Sequence, residues 1–148
     1  RGSFSVVLSE ALRTAGLGGK VLIAQFLKGG VNQGPVKGIE LCGKLRCIRP
    51  DLPFCLTKSR NEFSESNQSK IKQSINQIWE VCKENLVNNS IDRLVLDEVG
   101  LTTSLGYIDE SDLISTLEKR SASTDVILTG PAISSKIIEI ADQVTELR

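Results

Sequence analysis

The chain has 148 residues, 40% of them apolar and 24% charged, with 18 basic and 18 acidic side chains that leave no net charge at pH 7. This describes one globular domain with a real core, and a neutral chain has no electrostatic pull toward nucleic acid or an anionic membrane. Histidine is absent, which excludes any mechanism that needs an imidazole, and no apolar run approaches a membrane span or heads a signal peptide. The expected location is cytoplasmic.

In chain order, Phe4, Val7, Leu8, Ala11, Leu12 and Ala15 follow steps of three, one, three, one and three. That stripe predicts a helix over 4–15, with Gly16 as its left-handed cap. Residues 20–26, KVLIAQF, read as an interior strand. Residues 27–38 hold four glycines and Pro35 and read as a loop leaving its carboxyl end. The alternating LRCIR at 45–49 suits a short or edge strand, stopped by Pro50 and Pro53. Residues 60–67 read as a polar surface loop.

Ile71, Ile75, Ile78, Cys82 and Leu86 then recur at four, three, four and four, with Trp79 beside them, which predicts a long amphipathic helix. Trp79 reads as core in preference to a stacking platform, because it adjoins the stripe. Asn88, Asn89 and Ser90 break this helix ahead of a strand at 91–97. Asp109 with Asp112 three residues on resembles a helix N-cap ahead of Leu113, Ile114 and Leu117. DVILT at 125–129 reads as a further buried strand, turned by Gly130 and Pro131. A helix through Ile133, Ile137, Ile140 and Ala141 comes next, and 144–147 suits a last strand.

Strands alternating with helices imply crossover connections, hence an α/β three-layer fold with a mostly parallel sheet. In such sheets ligands bind outside the carboxyl ends of the strands. LVLDE at 94–98 therefore draws attention, because Asp97 and Glu98 come directly after a core strand, where P-loop proteins hold Mg²⁺ with an acid. The alternative is that these carboxylates only mark where the strand reaches solvent, or that Asp97 caps the next element. A helix as apolar as 4–15 normally leaves the tip of a central strand, so the reading is a single domain, 1–148, lacking the first strand of the fold. Cys42, Cys47, Cys55 and Cys82 are irregularly spaced and suit reduced, packed thiols; a metal role for the first three is the alternative.

Four stretches together resemble the P-loop type of ATP:corrinoid adenosyltransferase: ALRTAGLGGKVLIAQFLKGG, the long helix with LVLDEV after it, VILTG, and IIEIADQVTELR. QFLKG and ADQVTELR are the more specific parts, since LVLDE occurs in many P-loop NTPases. The resemblance implies a P-loop NTPase-like domain that binds ATP and a Co(I) corrinoid, whose cobalt attacks the ribose 5′ carbon with triphosphate as leaving group. It implies Asp97 as an Mg²⁺ ligand, and Glu98, Lys28 and Asn32 beside the nucleotide. It also places 1–5 on the second half of the family's phosphate loop, so that Gly2, Ser3 and Ser5 line the phosphates. Ser3 then stands where the loop lysine belongs and Phe4 where a metal-binding hydroxyl belongs. Pro131 replaces the arginine that usually comes after TG, and Leu52-Pro53-Phe54-Cys55 offers one aromatic to cover the corrin. Two functions stand as alternatives: adenosyl transfer, or a non-catalytic relative serving as a ligand-binding or regulatory module. The partners implied are a nucleotide, a corrinoid and, because an incomplete sheet edge invites association, a second copy of the chain.

Overall fold

The computed structural model describes residues 3–30, 33–57 and 62–146. Gly2, Asn32 and the side chain of Ser3 lie outside the described residues. The elements run α1 Ser3–Gly16, β1 Val21–Gln25, β2 Gly34–Leu41, β3 Leu45–Arg49, α2 Glu65–Val87, β4 Arg93–Asp97, α3 Val99–Ser104, α4 Glu110–Glu118, β5 Asp125–Leu128 and α5 Ser135–Glu139.

The sheet has the order β2-β3-β1-β4-β5; β3, β1, β4 and β5 are parallel, and β2 pairs antiparallel with β3. Successive side chains on a strand point to opposite faces, and here both faces are covered. Val21, Ile23, Leu45 and Val95 pack under Ala11 and Ala15 of α1. Leu22, Ala24, Ile48, Leu94 and Leu96 pack with residues of α2, α3, α4 and α5 on the other side. Burial on both faces is why KVLIAQF and LVLD show no alternation. The expected three-layer α/β fold is the one observed.

Several boundaries differ from the expectation. The start of the expected loop at 27–38 is indeed a loop, but its end belongs to β2, which runs from Gly34 with a register irregularity before Ile39. Propensity missed it because glycine and proline dominate its first half, and an antiparallel edge tolerates both. β3 is therefore interior, not an edge. β2 and β5 are the two edges, and DVILT is not the buried strand expected: Asp125 is exposed and 126–128 are only partly buried. α2 begins at Glu65, inside the stretch read as loop. α5 is short, and residues 144–146 form no strand among the described residues.

The cap of α1 lies further along the chain than expected. Gly16 is still helical, while Gly18 takes φ +99°, its amide donates to Ala15 O at 3.0 Å, and the Gly19 amide reaches Thr14 O at 2.9 Å. This pair of bonds is the Schellman arrangement, which requires the left-handed residue that glycine supplies without cost. Elsewhere, Asp109 caps α4 as expected, accepting from the amides of Ser111 at 2.8 Å and Asp112 at 3.1 Å. Trp79 is core: it meets Phe26 edge-on at 6.4 Å and donates from Nε1 to Asp112 at 2.7 Å.

Candidate functional site

The register of the parallel strands places four polar residues in one row at their carboxyl ends. Gln25 and Asp97 are direct partners; Arg49 and Thr129 each stand one residue beyond the last pair with a neighbour, Ala24–Ile48 and Leu96–Leu128. All four share the strand parity of Ile23 and Val95, so they rise on the α1 face of the sheet.

Their side chains are joined across the strands. Arg49 Nε donates to Gln25 Oε1 at 2.9 Å, and Gln25 Nε2 donates to Asp97 Oδ2 at 2.9 Å. Thr129 Oγ1 donates to Asp97 Oδ1 at 3.0 Å while accepting from the Glu98 amide at 2.9 Å. Gln25, Asp97 and Thr129 are buried. Buried polar groups of this kind are stable only when their partners are satisfied, and here each finds a partner in the next strand.

Lys28 enters from the loop after β1. Its ammonium lies 3.0 Å from Asp97 Oδ2 and 4.5 Å from the centre of the Phe4 ring on the first turn of α1. One cation thus pairs with a carboxylate and an aromatic face together. Gly29 fixes the position of Lys28, because a Cβ there would collide with the carbonyls of Leu52 and Phe54. The loop is tied further by Gly30 N to Leu52 O and Leu56 N to Leu27 O, both 2.8 Å. The same segment exposes Phe54, which stacks on Phe63 at 6.3 Å.

Glu98 has a left-handed backbone at φ +57°, uncommon for a non-glycine residue. It turns the chain from β4 into α3, and the Thr129 hydroxyl holds its amide. Cys47 sits beside this row, with Sγ 3.5 Å from Gln25 Oε1. Burial pushes its thiol up; Arg49 and Lys28 pull against that and Asp97 adds to it.

Of the residues expected from the sequence, the structure brings Lys28 onto Asp97 and sets Glu98 beside them. Ser5 is exposed on the first turn of α1. Gln25, Arg49, Thr129 and the second aromatic, Phe63, were not expected. The signal for the first three was present: each is the polar residue that ends or succeeds a run of strand-forming residues, as Asp97 does. The thiols differ from the expectation of packed residues, since Cys42 and Cys55 are exposed and only Cys82 is buried. No cluster of three or more His, Cys, Asp or Glu able to hold a metal occurs among the described residues, which removes the three-cysteine alternative. No helix of the described residues is long and apolar enough to cross a membrane.

A family model described as ATP:corrinoid adenosyltransferase BtuR/CobO/CobP matches residues 1–148. The chain is similar to a corrinoid adenosyltransferase of Escherichia coli (strain K12), 26% identical over 148 residues, all of this chain and 71% of that protein. It is equally similar, at 26% over the same share of each chain, to the corrinoid adenosyltransferase CobA of Salmonella typhimurium. A corrinoid adenosyltransferase of Pseudomonas aeruginosa is 23% identical over 147 residues, covering 99% of this chain and 70% of that protein. With a family match that runs the whole length, on a parallel sheet whose carboxyl edge gathers QFLKG, LVLDE and VILTG in one row, this chain belongs to the ATP:corrinoid adenosyltransferase family.

Proposed function

We propose that this domain binds ATP along the carboxyl edge of its sheet, takes a corrinoid as second ligand, and serves the family as a binding module in which adenosyl transfer is strongly slowed. The observation that carries this reading is the Lys28–Asp97 pair at 3.0 Å. In the family reaction the cobalt attacks the ribose 5′ carbon and triphosphate departs, so positive charge must face the leaving phosphates. Lys28 faces Asp97 instead, and the formal charges of Lys28, Arg49, Asp97 and Glu98 cancel. Ser3 at the place of the loop lysine, and Pro131 at that of the usual arginine, add no charge.

Binding asks for less than transfer. The first turn of α1, with Ser5, offers backbone N–H groups and the positive end of a helix dipole to an anion. Arg49, held in the row through Nε and set beside the Cys47 thiol, is the other cation of the row and meets the phosphate in this reading. The exposed Phe54 on Phe63, in the segment that packs against Gly29, offers a flat apolar face suited to a corrin ring.

Two measurements on the full-length protein test this. ATP at about 100 times its Kd should stabilise the folded state by about 2.7 kcal/mol, which raises Tm by about 5–10 °C. In an anaerobic absorbance assay with chemically reduced cobalamin and ATP, loss of the Co(I) spectrum should not depend on the protein. A melting point that ATP leaves unmoved removes the nucleotide from the reading. Protein-dependent formation of the light-sensitive alkylated corrinoid makes the chain a working transferase and refutes the binding-module reading.

A further inference from the structure

Asp97 accepts three hydrogen bonds from the side chains around it, which leaves one of its roughly four lone-pair sites, on Oδ1. Oδ1 accepts from Thr129 Oγ1 at 3.0 Å, and Oδ2 accepts from Gln25 Nε2 at 2.9 Å and from the Lys28 ammonium at 3.0 Å. A divalent cation at Oδ2 would have to displace the ammonium, and one at Oδ1 would share the carboxylate with it against its repulsion. Its remaining ligands would have to be waters, since Mg²⁺ takes six oxygens in near-octahedral order and keeps several waters where carboxylates are few. The Lys28 ammonium also has the Phe4 ring as a neighbour, 4.5 Å from Nζ, and that ring offers a π face and no oxygen. Among the described residues no acidic cluster completes such a shell.

We infer that Lys28 is the resident cation of this site: its ammonium stands at Asp97 where a P-loop protein would place Mg²⁺, and this edge takes its anionic ligand without a divalent metal. Phe4 favours the replacement, because an aromatic face attracts an ammonium and cannot ligate Mg²⁺, which prefers oxygen. The inference deepens the nucleotide reading given above, yet its core concerns the protein without nucleotide and is tested there.

Mn²⁺ serves as the probe, monitored by the electron paramagnetic resonance signal of the free ion, which falls as the ion binds. The wild-type chain should leave the Mn²⁺ signal unchanged at equimolar metal. Lys28→Met, which removes the ammonium and keeps the stem, should take up Mn²⁺, and Lys28→Met/Asp97→Asn should not. Thermal shift then compares ATP with Mg²⁺ and ATP with excess EDTA on the wild type, where equal shifts are expected. Wild-type uptake of Mn²⁺ that Asp97→Asn abolishes overturns the inference, whether or not the lysine variant folds. So does a folded Lys28→Met that binds no Mn²⁺, or an ATP shift that appears only with Mg²⁺; that last result leaves the nucleotide reading standing. If ATP gives no shift in either condition, the nucleotide reading fails while the Mn²⁺ measurements still decide the role of Lys28.

Discussion

Replacing Thr129 by valine tests whether the polar row holds this edge of the sheet together. The hydroxyl does two things: it donates to Asp97 Oδ1 at 3.0 Å and accepts the Glu98 amide at 2.9 Å. Valine keeps the branched shape and removes both. Losing a hydrogen bond to a charged group costs roughly 1.5–3 kcal/mol, and a partly buried amide left without its acceptor adds roughly 1 kcal/mol or more. Glu98 is also held at φ +57°, a conformation that costs of order 1 kcal/mol or more and persists only where its surroundings impose it. The added methyl group offsets part of the loss, since a buried CH₂ contributes about 0.8 kcal/mol. A net destabilisation of about 3 kcal/mol is expected, seen in urea denaturation as a lower midpoint at unchanged slope and as a fall of about 6–12 °C in Tm. Thr129→Ser keeps the hydroxyl and should cost only about 1 kcal/mol for the lost methyl. If Thr129→Val is within about 0.5 kcal/mol of wild type, the ordinary scatter of surface changes, or if serine is as damaging as valine, the row does not stabilise the edge.

Three further outcomes are expected. Gly29→Ala puts a Cβ against the carbonyls of Leu52 and Phe54, backbone that cannot rotate away, so it should destabilise by about 1–3 kcal/mol as overpacking does; a wild-type melting curve would show that the loop yields freely. Cys42 and Cys55, exposed, should react with a thiol reagent in the native state. Burial pushes the Cys47 and Cys82 thiols up, so both should lag, and Cys82 should wait for unfolding; Cys82 reacting as fast as Cys55 would contradict its burial. The Asp109 carboxyl is held below its ordinary value of 3.8 by the Ser111 hydroxyl and then by the Asp112 and Ser111 amides. A depressed folded-state value means the cap contributes fully above the unfolded value and is lost as pH falls through the folded one. The stability gap between wild type and Asp109→Ala should therefore be constant from neutral pH down to about 4 and close at lower pH; a gap that widens on acidification reverses the sign and refutes the cap.

What the chain determined by itself is periodic or local. The stripe from Ile71 to Leu86 could only be a long helix, because its spacing buries one face, and all five of its residues, with Trp79, are buried. KVLIAQF and LVLD could only be interior strands, since no amphipathic pattern serves a strand covered on both faces. The capping role of Asp109 depends on its immediate neighbours and was equally legible. So was the position of the acids of LVLDE and the lysine of QFLKG at the carboxyl edge, because each comes after a buried strand.

What only the tertiary structure decided concerns residues distant in sequence. β2 is half glycine and proline at its start, and it is a strand because β3 supplies partners for its backbone, which no local propensity encodes. Gln25, Arg49 and Thr129 each look like an unremarkable polar residue until parallel register sets them beside Asp97. The pairing of Lys28 with both Asp97 and Phe4 joins three segments whose separation along the chain says nothing of their distance in space. A sequence states which residues can carry charge or accept a hydrogen bond; the sheet decides which of those needs are met inside the protein and which are left for a ligand. At this edge Asp97 is met from within, by Gln25, Lys28 and Thr129, because strand order and register bring those three side chains to one carboxylate.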